Sequence, residues 1–186
     1  MSTETTLAPP AVGTYTIDPT HSSVTFVARH LVGAKVRGNF ADFSGAITIA
    51  DSPEVSSVEA EVQAASITTG NEQRDGHLKS PDFFDLENFP TLTLKSTKIT
   101  IKSDSEFTLT GDLTIRGITK SVDFNVEYLG SGPHMIPDTT AIAFEATAEV
   151  DRRDFNVSFN GALENGSLVV GNKVKIEIEI EASKAN

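Results

Sequence analysis

Residues 173–181 read KVKIEIEIE, and apolar and charged side chains alternate strictly along them. Val174, Ile176, Ile178 and Ile180 share one parity, and lysine and glutamate residues occupy the other. Successive side chains of a β-strand point to opposite faces, so this stretch predicts a strand with one buried and one solvated face. One-sided alternation is typical of antiparallel sheets and argues against a fold of alternating strands and helices.

The same period of two recurs along most of the chain, between turn signals such as Asn165-Gly166. It runs through residues 24–28, 58–64, 107–115, 122–128 and 142–150. About eight long strands in one chain predict a closed antiparallel barrel or a sandwich. We therefore predict an all-β fold, with a flexible tail over residues 1–12 and a single domain over residues 13–184.

Small residues are interleaved with large ones on the inward parity. They are Ala28, Ala60, Ala64, Gly111, Ala146 and Ala148. An eight-stranded barrel is just wide enough either to be filled by side chains or to hold one ligand. Small inward residues favour a cavity, whereas interdigitation of large and small side chains in a filled core explains them equally well.

Charge and composition exclude several function classes. The chain has 15 Lys and Arg against 26 Asp and Glu, a formal net charge of −11, which argues against binding of nucleic acid or of anionic membranes. It has no cysteine, which excludes disulfides, thiol catalysis and cysteine-ligated metals. No segment approaches the roughly 18 apolar residues of a membrane-spanning helix, and MSTETTLAPPAVG at the N-terminus lacks the features of a signal peptide. We expect a soluble, cytoplasmic protein that is not integral to a membrane.

One segment breaks the alternation, residues 70–85, which read GNEQRDGHLKSPDFFD. Thr69 and Glu72 have the spacing of a capping box, which predicts a short helix over residues 73–79 that ends at the following Ser-Pro. A helix this short and polar needs tertiary contacts, and the two adjacent phenylalanines offer large apolar anchors. We predict a helical lid over one mouth of the β-structure.

Four side chains are candidates for contact with the polar end of a ligand. His30 continues the inward parity of residues 24–28, and Arg152 continues that of residues 142–150. Arg74 and His77 lie on neighbouring sides of the predicted helix. Arginine geometry suits phosphate and other oxygen-rich groups, although mixed charges in short runs more often form surface ion pairs.

The sequence contains none of the common catalytic or metal-binding motifs. No HExxH, GxSxG or phosphate-cradling glycine-rich loop occurs, and the four histidines are scattered. We predict no catalytic residue, no metal and no cofactor. Two alternatives stay open: an enzyme that uses His30 or His77 as the acid–base group, and a structural or interaction domain with a filled core.

Several blocks of the sequence, in order, resemble the YceI-like family. The insert quoted above is one, and the others are IDPTHSSVTFVARH at 17–30, VRGNFADFSG at 36–45, LTGDLTIRGITKSV at 109–122 and DRRDFNV at 151–157. The resemblance covers about residues 14–182. It implies an antiparallel, eight-stranded, lipocalin-like β-barrel with a short helical segment near residues 70–85. It also implies a long apolar tunnel that holds polyisoprenoid or similar lipid-tailed molecules.

Two properties depart from what the resemblance leads us to expect. Many members of the family are exported to the periplasm, whereas this N-terminus lacks a recognisable signal peptide. Where we expect a glycine after the Asp-Phe pair and a tryptophan beyond it, the chain has Asn156 and Phe159. Asparagine tolerates left-handed backbone geometry, and phenylalanine in place of tryptophan would reshape a cavity wall.

The apolar tail of such a ligand needs little specific recognition, since each buried methylene contributes about 0.8 kcal/mol. Our candidate wall is the inward set Phe26, Phe40, Val62, Leu92, Leu94, Phe107, Leu109, Leu113, Phe124, Val126, Phe144, Val150 and Ile176, with Phe83 and Phe84 from the insert. We hypothesise non-catalytic binding, sequestration or transport of one long-chain isoprenoid or acyl lipid, such as a polyprenyl phosphate or a quinone. A homodimer is a further arrangement that the sequence leaves open.

Overall fold

The computed structural model describes residues 7–164 and 168–185. Residues 1–6 of the predicted tail and the turn predicted at Asn165-Gly166 lie outside them. The strands are β1 (Gly13–Ile17), β2 (Ser23–His30), β3 (Ala34–Phe40), β4 (Phe43–Ile49), β5 (Ser57–Gln63), β6 (Ile67–Thr68), β7 (Thr91–Ile101), β8 (Glu106–Ile115), β9 (Ile118–Pro133), β10 (Thr139–Asp151) and β11 (Val170–Ala185). The helix α1 is Glu72–Lys79, and short 3-10 turns lie at Pro53–Val55, Ala64–Ser66 and Arg152–Phe155.

The strands pair antiparallel and close into an eight-stranded barrel. β1 and β2 lie end to end along β11, and β4 and β3 lie end to end beside them. β5 and β6 form the next interrupted strand, and β7 to β11 follow singly. The barrel closes where Thr16 and Ile17 pair with Ser183 and Ala182. The predicted all-β barrel with one short helical insert is therefore confirmed.

The stretch KVKIEIEIE lies in β11, which forms the seam of the barrel. One edge of β11 pairs with β10 from Thr139↔Ala185 to Asp151↔Lys173, and the other edge pairs with β2 and β1. The valine and the three isoleucines of the stretch all face the interior. The alternation is strict because this strand must present a continuous apolar face to the interior while its other face meets water.

The two ends of the barrel differ in what covers them. At the helix end lie the turn at residues 31–33, α1 with the segment 80–90, and residues 152–164 with 168 and 169. At the strap end lie the loops 50–56, 102–105 and 134–138 together with residues 8–12, which we call the strap. Strand directions alternate, so consecutive connections fall at opposite ends.

The helix in the insert is confirmed, but its predicted cap is wrong. The N-cap is Asn71, whose side chain accepts a hydrogen bond from the Arg74 backbone N–H at 2.9 Å. Thr69 lies two residues before the N-cap, and its hydroxyl donates to the Asp75 carboxylate at 2.6 Å. Asparagine is among the strongest N-cap residues and directly precedes the helix here, so it takes the position assigned to Thr69.

The insert is anchored on the helix end of the barrel, as predicted. The Phe84 ring packs edge-on against Phe40 with centroids 5.9 Å apart, and Phe83 is buried. The backbone N–H of Phe84 donates to the Leu78 carbonyl at 2.9 Å, which folds the segment back under α1. The polar helix is therefore held by its apolar neighbours, because a helix of this length has little stability of its own.

Candidate functional site

A cavity of about 720 Å³ occupies the interior of the barrel and is bounded by residues from both ends. Its size falls in the range of small-molecule pockets, roughly 300–1,000 Å³. The residues of the sequence-predicted wall all line it, including Phe26, Phe40, Val62, Leu94, Leu109, Phe124 and Phe144, as do Phe83 and Phe84. The interior is therefore a largely apolar space and not a filled core.

The small inward residues contribute unequally to this space. Ala28, Ala60 and Ala146 line the cavity, as a cavity-forming role requires. Gly111 does not line the cavity. A Cβ atom there would lie only 2.8 Å from Leu94 Cδ1, so the Leu94 side chain already occupies the space beside this glycine. Ala148 belongs to the packed core. Both interpretations of the small residues thus hold, at different positions in the barrel.

At the helix end the described lining residues are buried or half-buried and none is exposed, so the cavity is closed there. Phe155 is 1% exposed, and Phe83 and Val157 are also buried. These side chains pack with the inner residues of β8, β9 and β10 in one core cluster. This end therefore forms the floor of the cavity.

Arg152 is buried in the floor and is 6% exposed. Its Nε donates to the Gly171 carbonyl at 2.9 Å, its Nη1 to the carbonyls of Val157 and Phe159 at 2.8 Å each, and its Nη2 to that of Val170 at 3.4 Å. Burial lowers the pKa of its guanidinium. The neighbouring carboxylate of Asp151 pairs with Arg153 at 2.6 Å. The inward parity predicted for Arg152 is confirmed, and its donors are largely occupied by backbone carbonyls.

At the strap end the lining residues are exposed, so the cavity meets solvent there. Asp51, Ser103 and Asp104 are exposed and line it. Pro9, Pro10 and Val12 of the strap line it as well. The entrance is therefore acidic at its edge and is partly covered by the strap.

Both tyrosines of the chain hold the strap by their hydroxyls. The Tyr128 hydroxyl donates to the Ala8 carbonyl at 3.0 Å, and the Tyr15 hydroxyl donates to the Ala11 carbonyl at 2.8 Å. Lys184 Nζ adds a 2.7 Å hydrogen bond to the Val12 carbonyl. Sequence reasoning assigned residues 1–12 to a tail and missed these contacts. The only available signal was the inward parity of Tyr128.

Three candidate residues for the polar end of a ligand are not among the described residues that line the cavity: His30, Arg74 and His77. His30 ends β2 at the rim of the helix end. The Arg74 guanidinium donates to the Thr69 hydroxyl at 2.6 Å and to the Thr69 carbonyl at 3.0 Å. His77 Nε2 lies 2.8 Å from Asp82 Oδ2 on the exposed side of the insert. The structure therefore does not bring these groups together with Arg152.

The two residues that depart from the expected family pattern, Asn156 and Phe159, are not among the described residues that line the cavity. Asn156 adopts the left-handed conformation, with φ 58°, so it supplies the geometry expected of glycine. Phe159 is 41% exposed and packs on the rings of His77 and Phe83, with centroids 4.8 and 5.4 Å away. The expectation that it reshapes the cavity wall is wrong, because the chain turns outward after Val157 and places the ring beside α1.

One cluster in the described part of the chain has the spacing of a metal site, Asp18, His134 and Glu181, with ligand atoms within 4.8 Å of one another. His134 Nδ1 accepts a hydrogen bond from the Ile136 N–H at 3.0 Å. A neutral ring in this position carries its proton on Nε2, the nitrogen that faces Glu181. Metal-bound histidines use the opposite arrangement, in which the free ring nitrogen donates. The cluster is therefore a poor fit for a metal.

Comparison with known proteins gives a consistent result. A family model for the YceI-like domain matches residues 15–182. A UPF0312 protein of Staphylococcus aureus (strain MSSA476) is 37% identical over 171 residues, which cover 91% of this chain and 96% of the relative. The solved YCEI protein of Campylobacter jejuni is 27% identical, with a TM-score of 0.71 over 85% of this chain and 90% of that one.

A polyisoprenoid binding domain from Saccharophagus degradans has a TM-score of 0.68 and covers 95% of this chain and 100% of its own. It is 14% identical, so the likeness shows a shared fold. Among the residues described here, no helix is both long enough and apolar enough to span a membrane.

Proposed function

We propose that this chain, which belongs to the YceI-like family, binds one long-chain lipid inside its barrel without changing it chemically. The observation that carries the proposal is the continuous apolar cavity of about 720 Å³, closed at the helix end and accessible at the strap end. Each methylene that enters contributes about 0.8 kcal/mol, so a chain of many carbons binds without specific polar contacts.

The tail of the ligand is best matched by an isoprenoid or acyl chain. The lining carries phenylalanine and branched aliphatic side chains from both ends and from the strands between them, such as Phe84, Ile176 and Ile101. The Saccharophagus degradans protein of the same fold is named as a polyisoprenoid binding domain. That name supports a polyisoprenoid as the first ligand class to test.

The charges around the cavity favour a ligand with an uncharged head group. Asp51 and Asp104 stand at the entrance, and the chain carries a formal net charge of −11. Arg152 is the one basic side chain among the described residues that line the cavity, and backbone carbonyls occupy most of its donors. A buried phosphate or carboxylate would therefore lose its hydration without gaining a free cation. A polyprenol or a quinone fits better than a polyprenyl phosphate.

The proposal is tested by identifying and exchanging the bound lipid. Native mass spectrometry of the protein as purified, followed by extraction, should find an apolar lipid at one per chain. Delipidated protein should then bind geranylgeraniol at least about tenfold more tightly than geranylgeranyl phosphate, given like-charge repulsion near the entrance. Protein that holds no lipid and takes up neither probe would overturn the proposal.

A pair of variants on β10 separates cavity binding from surface adsorption. Ala146→Phe places a ring in the cavity, whereas Ala143→Phe places it at a half-buried position of the same strand that is not among the described lining residues. We expect at least a tenfold loss of geranylgeraniol binding for Ala146→Phe and little change for Ala143→Phe, because only the first fills ligand space. Equal losses would argue against binding inside the barrel.

A further inference from the structure

The cavity has an asymmetric boundary, which determines where a lipid can pass. Floor residues such as Phe155 and Val157 are buried, whereas entrance residues such as Asp51 and Asp104 are exposed. Passage through the floor would require opening a packed core cluster. Passage at the strap end requires only that the strap move, because Pro9, Pro10 and Val12 are the described lining residues at this end that belong neither to a barrel strand nor to a loop between strands.

We propose that the strap, residues 8–12, is the gate of the cavity, and that lipid exchange requires it to leave the hydroxyls of Tyr15 and Tyr128. This inference rests on the proposed function, since it concerns how the same cavity is filled. It adds a location for the entrance and a mechanism that controls the rate of exchange.

The contacts of the strap suit a segment that opens locally. β1 begins at Gly13, so ladder hydrogen bonds start only after the strap. The strap is held instead by three side-chain donors, from Tyr15, Tyr128 and Lys184. Four of the five strap residues are exposed, and a segment with few buried apolar contacts has a low free energy of local opening.

The base of the strap has the geometry of a hinge. Gly13 has φ +140°, a backbone conformation that residues with a side chain rarely adopt. Pro9 and Pro10 fix their own φ angles, so the segment beyond the hinge is stiff. A stiff segment on a glycine hinge moves as a unit and does not need to unfold residue by residue.

Opening of the strap also changes what the entrance offers to a ligand. Tyr128 lines the cavity, and its hydroxyl is engaged by the Ala8 carbonyl while the strap is closed. Once the strap leaves, this hydroxyl is free to donate to an oxygen of an uncharged head group. The strap and the ligand therefore compete for one donor during entry.

The test measures the rate of lipid exchange. A pyrene-labelled decanol is bound to the full chain and displaced by excess geranylgeraniol in a stopped-flow fluorimeter. Each hydroxyl–carbonyl hydrogen bond changes an opening equilibrium by roughly two- to tenfold. The Tyr15→Phe/Tyr128→Phe double variant should therefore release the probe about tenfold faster, with its affinity changed less than the rate. Thr97→Val is the matched control, because it removes a hydroxyl–carbonyl bond on the outer face of the barrel.

A second variant keeps the proposal falsifiable if the double variant folds poorly. Pro9→Gly/Pro10→Gly retains both hydroxyls but makes the strap flexible, and it should also accelerate release. Wild-type rates in both variants would overturn the gate, as would faster release from Phe84→Ala at the helix end without any effect at the strap. A wild-type chain that takes up no probe would instead overturn the proposed function.

Discussion

The two ends of this barrel differ in how the segments that cover them are held. At the helix end, buried aromatic rings and the Arg152 guanidinium join the insert, β10 and the segment before β11 into one packed unit. At the strap end, exposed loops surround the cavity and three side-chain hydrogen bonds hold the covering segment. The comparison indicates that stability is concentrated at the closed end, which leaves the other end free to open.

The largest effect should follow from removing the guanidinium at the floor. Arg152→Ala leaves the buried carbonyl of Val157 and the part-buried carbonyl of Gly171 without this donor, and unsatisfied buried groups cost about 1–3 kcal/mol each. We expect a loss of about 3–5 kcal/mol in the free energy of unfolding, measured by urea denaturation. Arg153→Ala is the control, since this neighbour is largely exposed and pairs with Asp151, and it should cost less than about 1 kcal/mol. Equal losses would show that the carbonyl network is unimportant.

The next effect concerns the aromatic anchor of the insert. Phe84→Ala removes the ring that packs on Phe40, and large-to-small changes of this kind cost about 2–4 kcal/mol where the ring is partly buried. Phe159→Ala removes a ring on the outer side of α1 and should cost about half as much or less. Urea denaturation of both variants provides the measurement. A larger loss for Phe159→Ala would mean that the insert is held from outside the barrel.

A smaller effect is expected at the strap end. Tyr128→Phe keeps the ring in the wall and removes the hydroxyl that holds Ala8, so unfolding should become easier by about 1 kcal/mol. The loss is limited because the strap opens locally and the barrel beneath it persists. Urea denaturation measures this loss, and hydrogen exchange in β9 should remain unchanged. A loss as large as that of Phe84→Ala would contradict the contrast between the ends.

The sequence predicts the barrel well because one local pattern encodes it. Strict alternation in KVKIEIEIE fixes both the strand and the face that points inward, and the same parity correctly placed Arg152 and the apolar wall. The helical insert was also recognisable, because helix signals lie within a few residues of one another. Its cap was misassigned because Thr69 and Asn71 are both competent caps and only the three-dimensional chain path selects between them.

The entrance could not be predicted, because its contacts join residues far apart in sequence. Tyr128 and Ala8 are separated by 120 positions, and no spacing or periodicity connects them. Two of the carbonyls that accept from Arg152, those of Val170 and Gly171 at the start of β11, similarly lie 18 and 19 residues away in sequence. Parity shows that a side chain points inward, but it does not show which partners it finds there. For that reason parity alone makes Arg152 a candidate for a ligand head and does not reveal the carbonyls that occupy most of its donors.

A still smaller effect is a loss of stability in acid, which we expect at the helix end. Hydrogen bonds from the Thr69 hydroxyl and N–H, at 2.6 and 2.8 Å, lower the pKa of the Asp75 carboxyl in α1. The resulting stability is fully present above the unfolded-state pKa, about 3.9, and is lost as the pH falls through the lower folded-state pKa. Asp75→Asn should therefore destabilise the protein at neutral pH and differ less from wild type at low pH. A difference between the two proteins that is independent of pH would contradict this origin.

The strap end should respond at the opposite extreme of pH. Burial raises the pKa of the Tyr15 hydroxyl, and the nearby Tyr128 raises it further. The folded state therefore favours the neutral phenol. Its contribution to stability is complete below the unfolded-state pKa, about 10, and is lost as the pH rises through the higher folded-state pKa.

Tyr128→Phe leaves Tyr15 as the only tyrosine, so the ultraviolet absorbance of the phenolate reports that group alone. Its midpoint should lie above that of the same variant in denaturant, because burial of the ring remains. A midpoint equal to the denatured value would show that the strap does not shield this hydroxyl. Ionisation also removes the proton that Tyr15 donates to the Ala11 carbonyl, so release of a bound lipid probe should accelerate over the same pH range in which the phenolate forms.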